Sequence, residues 1–100
     1  MSEVKISKVF EINRFTIKVL NTGLIVIEER PYTVRRKIKV YEPGKGIIEK
    51  EINVPIWKYL SKHPKHAMTI HINELMNGGL RKLSKILPKY VIEELKNIVS

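Results

Sequence analysis

Phe15-Thr16-Ile17-Lys18-Val19-Leu20-Asn21-Thr22-Gly23-Leu24-Ile25-Val26-Ile27-Glu28 is the stretch that decides the fold. Phe15, Ile17 and Val19 alternate with Arg14, Thr16 and Lys18, which is the period of a half-buried strand. Asn21-Thr22-Gly23 is a turn in which Gly23 accepts positive φ, and Leu24 to Glu28 resumes the apolar run. Two strands closed by a short glycine-containing turn predict a β-hairpin.

Before this hairpin, Val4, Ile6, Phe10 and Ile12 share one parity, interrupted by Lys8, and predict a preceding strand. After it, Pro31 breaks the run. Tyr32, Val34, Ile38 and Val40 then share one face, and Thr33, Arg35, Lys37, Lys39 and Tyr41 the opposite one. Glu42-Pro43-Gly44-Lys45-Gly46 is a turn cluster, followed by a strand with Ile48, Ile52 and Val54 on one side. At Asn53 the period changes. Asn53 as cap and Pro55 in a first turn predict a short helix over 55–62, with Ile56, Trp57 and Leu60 inward. The stretch 67–76 fits two readings: Met68, Ile70 and Ile72 alternate like a strand, while Asn73 to Met76 suits a helix start. Asn77-Gly78-Gly79 is a break. Leu80, Leu83 and Leu87 are spaced as a helix, Pro88 restarts it, and Val91, Ile92, Leu95, Ile98 and Val99 mark an amphipathic final helix. The expected class is α+β: an antiparallel β-meander of four or five strands followed by two or three helices packing on one sheet face. One domain covers 1–100, with the sheet in 1–54 and the helical portion in 55–100.

Composition narrows the chemistry. A chain of 100 residues suits one small domain. It contains no Cys, Asp or Gln, so disulfides, thiolate metal sites, Ser-His-Asp triads and aspartic dyads are excluded. The longest apolar run, Leu24 to Ile27, is too short to span a bilayer, and no secretory h-region follows Met1-Ser2-Glu3. The expectation is an intracellular, cytoplasmic protein with no membrane partner. Abundant Ile, Lys and Glu without Gln or Cys leans toward a thermophile, although an AT-rich genome gives a similar skew.

The informative feature is where the positive charge falls. Lys and Arg number 19 against 10 acids, a net charge of +9. Arg30, Arg35, Arg36, Lys37, Lys39 and Lys45 share their segment with a single acid, Glu42. Alternation places Arg35, Lys37 and Lys39 on one strand face with Tyr41 in the same row. Arg14 and Lys18 are expected to extend that row across the sheet. Cations neutralise phosphates and an exposed ring gives a base a stacking surface, so this face predicts nucleic-acid binding without base specificity. Single-stranded DNA is the first expectation and RNA the second. A solvated face, or an edge strand kept from aggregating by lysines, is the plainer reading of the same residues.

Other constellations carry less. Lys58 to His66 is a second basic stretch, with no acid between Glu51 and Glu74. His63, His66 and His71 lack the Cys or carboxylate partners usual for zinc, so neither a metal nor a cofactor is expected. Gly44-Lys45-Gly46 lacks the full phosphate-loop pattern and fits a hairpin turn, with Lys45 placed to touch a phosphate. Glu28 and Glu29 point to opposite faces of one strand, and no nucleophile has a base beside it, so no catalytic residue is assigned and the protein is not expected to be an enzyme. The final helix packs on its own sheet or, through Val91, Leu95 and Ile98, on another protein. The second option gives the alternative function: an accessory subunit of a replication, transcription or RNA-processing assembly.

Phe10-Glu11-Ile12, Phe15 to Val19, Gly23 to Arg30, Gly44-Lys45-Gly46-Ile47 and Trp57-Lys58-Tyr59-Leu60 together resemble the single-stranded-DNA-binding transcriptional coactivators of the positive-cofactor-four type. That family carries a G-x-x-x-I-x-I-R-E-type third strand and a K-G-I turn before the last strand, leading into a Q-W-x-x-L helix. The resemblance covers about residues 10–62. Here the third strand ends Glu28-Glu29-Arg30, and Pro55 lies two residues before Trp57. The resemblance implies a dimer whose curved sheets grip single strands through Lys18, Arg30, Lys37, Lys39, Lys45 and Tyr41.

Overall fold

The computed structural model describes residues 3–100. The central hairpin forms as its alternation requires. Strand β2 (Phe15–Leu20) pairs antiparallel with β3 (Leu24–Glu29), setting Val19 opposite Ile25 and Ile17 opposite Ile27. Gly23 has φ +91°, a conformation that favours glycine, and a Cβ there would lie 2.8 Å from His71 Nε2, so the imidazole would have to shift to admit one. Strand β1 (Ile6–Ile12) pairs with the other side of β2. Its register shifts between Ile6 and Lys8, so Ile6 faces Leu20 while Lys8 faces Val19. That irregularity moves Ile6 off the face of Phe10 and Ile12, and leaves Val4 and Ile6 more than half exposed, against the single parity expected.

The fourth strand of this sheet, β6 (Ala67–His71), comes from the ambiguous segment in the second half of the chain. It pairs antiparallel with β3, giving the order β1-β2-β3-β6. At His71 the chain turns into a short helix α1 (Ile72–Glu74), whose Asn73 N–H is accepted by His71 Nδ1 at 3.1 Å. A kinked segment, Leu75–Gly79, in which Asn77 and Gly78 leave the helical region, connects α1 to α2 (Leu80–Leu83). The glycine pair at this break has two roles. Gly78 adopts φ +94°, whereas Gly79 is helical but packed so tightly that a Cβ would lie 2.5 Å from the Glu74 carbonyl oxygen. Gly79→Ala is therefore expected to cost about 2–3 kcal/mol of stability by overpacking, read as a drop in urea midpoint at unchanged slope.

The core lies between this sheet and the helical segments. Phe15, Ile17, Ile25 and Ile27 from the sheet meet Leu60, Leu75, Leu83 and Leu87, together with Val91, Ile92 and Leu95 of helix α3 (Lys89–Val99). Tyr90 sets its ring edge against Phe15, with centroids 6.1 Å apart. Val91 and Leu95 are 0% exposed, and Ile98 packs partly buried against the same cluster. The expectation that Val91, Leu95 and Ile98 present a stripe to another protein is thus corrected: the stripe covers the chain's own sheet.

Strands β4 (Tyr32–Glu42) and β5 (Gly46–Ile56) do not join that sheet. They form a separate two-stranded antiparallel ribbon that pairs Tyr32 with Ile56 at its base and Glu42 with Gly46 at its tip. The ribbon is an arm, and the molecule extends 62 × 34 × 19 Å. Pro55 lies inside β5 opposite Thr33, so the expected helix over 55–62 does not form. A two-stranded ribbon leaves outward N–H groups unbonded, so proline costs it little.

Glu29 sets the path of the chain beyond β5. This carboxyl group is 4% exposed and accepts hydrogen bonds from the backbone N–H groups of Lys58 (2.9 Å), Tyr59 (2.9 Å) and Leu60 (2.6 Å). Those donors, fixed on a buried anion, hold the segment as an irregular loop. Trp57, expected in the core, is only half-buried. It stacks on His66 with centroids 3.6 Å apart, and its indole N–H donates to the Glu29 carbonyl at 3.0 Å.

Candidate nucleic-acid interface

The period-two pattern of the arm divides its side chains into two faces. One carries Thr33, Arg35, Lys37, Lys39 and Tyr41 on β4, paired with Pro55, Asn53, Glu51, Glu49 and Ile47 on β5. Arg35, Lys37 and Lys39 are all exposed, and Tyr41 is 72% exposed near the tip. The expected row therefore exists on one open surface. The sequence did not reveal what faces it: Glu51 lies opposite Lys37 and Glu49 opposite Lys39. The acids offset two of the three cations, and the surplus comes from Arg35, opposite neutral Asn53, and from Lys45 in the exposed tip turn. Cross-strand parity in the sequence carries this signal once the Pro43-Gly44 turn fixes the register.

Arg14 and Lys18 do not extend the row, because β2 and the arm belong to different sheets. Lys18 lies on the outer face of the four-stranded sheet, with its Nζ 3.2 Å from Glu28 Oε1 and both side chains partly buried. Arg14 is exposed in the β1–β2 turn, and its guanidinium stands over the Tyr32 ring, 4.8 Å from the centroid. Arg30 is also at the base of the arm, where its Nη2 donates to the Asn13 carbonyl at 2.6 Å. The second basic stretch returns beside them, with Lys58 over the Tyr59 ring at 5.4 Å and Lys62 and Lys65 exposed. Positive charge is thus gathered at the arm's tip, along one face, and around its base.

The three histidines do not converge. His66 Nδ1 lies 3.1 Å from the Leu60 carbonyl oxygen, and His71 caps α1. Among the described residues no group of three His, Cys, Asp or Glu is placed to hold a metal ion, and no helix is long and apolar enough to cross a membrane. Searches for related proteins found no match among family models, curated proteins or solved structures.

Proposed function

We propose that this protein binds nucleic acid without base specificity, using the β4–β5 arm as its principal contact element. The observation that carries the reading is the open arm face on which Arg35, Lys37, Lys39 and Tyr41 stand in one row, with Lys45 at the tip. Phosphates are neutralised by the cations, and the exposed Tyr41 ring offers a stacking surface to an unpaired base. Single-stranded DNA remains the first candidate and RNA the second. Arg30 stands where the arm leaves the body, within reach of the same strand. Lys18, engaged by Glu28, contributes least. The alternative, a subunit held by its C-terminal helix, receives no support from α3, whose apolar residues are used internally.

The test is an anisotropy titration against single-stranded DNA, duplex DNA and RNA at two salt concentrations. Affinity falls steeply with salt in the parent, and combined Arg35→Ala, Lys37→Ala and Lys39→Ala flattens the log–log slope by up to about three units. If the triple variant binds with the parent's affinity and slope, the arm face is not the site.

A further inference from the structure

The other face of the arm has a different composition. Val34, Ile38 and Val40 of β4 lie level with Val54, Lys50 and Ile48 of β5, and Arg36 with Ile52. Tyr32 and Ile56 close this face at the base, and Glu42 ends it at the tip. It is an aliphatic stripe carrying two long cations; among the described residues no third strand pairs with the ribbon, and Ile38 and Ile52 are 36% and 39% exposed. A lone two-stranded ribbon is marginal in water unless something packs on its apolar face.

We propose that this stripe packs face to face on the same stripe of a second copy of the chain, with the two arms antiparallel. Two observations select that occupant. The first is charge placement at the ends of the face. Arg14 stands over Tyr32 at the base and Glu42 sits at the tip, and neither belongs to an ion pair among the described residues. A twofold axis running across the strands lays each tip on the other's base, bringing Arg14 to the partner's Glu42 twice over. The parallel arrangement would bring Arg14 toward the partner's Arg14 instead. Along the stripe, the antiparallel arrangement sets Arg36 over the partner's Ile38 and Lys50 over the partner's Ile52, so no like charges stack, and both long stems reach solvent at the rim.

The second is area. Strands of 11 residues make a ribbon about 36 Å long. Two such faces in contact bury on the order of 1,000 Å², the minimum for a specific interface. The resulting four-stranded sandwich leaves the Arg35–Tyr41 row of each arm outward and accessible.

Sedimentation equilibrium on the free protein tests this independently of any nucleic acid. The parent is expected at twice the 11.7 kDa chain mass at micromolar concentration. Ile38→Lys with Ile52→Lys should weaken self-association at least 30-fold, while Ile47→Lys, on the opposite face, leaves it unchanged. The body's near-ultraviolet spectrum reports that each variant is folded. Glu42→Arg weakens the dimer and Arg14→Glu added to it restores the dimer. A parent that stays monomeric at 100 µM, or a double-lysine variant that dimerises like the parent, overturns the proposal. A charge swap that fails to restore association overturns the antiparallel arrangement.

Discussion

Replacing Glu29 with alanine is expected to destabilise the body by about 4 kcal/mol, a large share of the 5–15 kcal/mol that holds a typical domain together. Its carboxylate accepts from three consecutive backbone N–H groups, of Lys58, Tyr59 and Leu60, in a place from which water is almost excluded. Removing it strands those donors, at about 1–3 kcal/mol for each one left unsatisfied. Glu29→Gln does not restore the site, because the amide turns one acceptor into another donor facing donors. Urea denaturation followed by tryptophan fluorescence reads the effect directly, since Trp57 donates to the same residue's carbonyl. A loss below about 1 kcal/mol would show that the loop after β5 is held by Leu60 packing and not by the anion.

Deleting Lys89–Ser100 is expected to abolish the cooperative fold. Helix α3 contributes Val91, Ile92 and Leu95 to the buried cluster, and Tyr90, Ile98 and Val99 pack against it. At about 1.5–3 kcal/mol for each fully buried aliphatic side chain, the three buried residues alone match much of a small domain's stability. The truncated chain should lack a sigmoidal thermal transition by circular dichroism. A sharp transition near the parent's midpoint would show that the sheet is stable without its cover.

Much of the body can be read from residue order. The β2–β3 hairpin is legible from alternation on both sides of Gly23, because a buried sheet face imposes a period of two and a tight turn fixes register. The helical spacing of Val91, Leu95 and Ile98 likewise marks α3. Alternation reports which residues share a face, however, and not which strand lies beside them. Hence β4 and β5 are recognisable as strands while their separation into an arm is not, and neither is the pairing of β6 with β3. Pro55 misleads for a related reason: its value as a helix starter applies only when the following N–H groups are free to build a turn, and here Glu29 takes them. A clue to this is present in the sequence. Glu29 has the parity of Ile25 and Ile27, so an acid falls on the buried face and needs donors. At the candidate site, the row Arg35-Lys37-Lys39 is legible, whereas the offsetting Glu49 and Glu51 require the cross-strand register.

No ladder hydrogen bond connects the ribbon to the four-stranded sheet among the described residues. Reach and body stability are consequently separate quantities in this architecture. Lengthening both legs by two residues each would carry the tip about 7 Å further while every side chain kept its side. A one-residue change in a single leg would instead exchange the aliphatic and cationic surfaces beyond it. Viable length variants of this protein should therefore come in even steps, matched across the two legs.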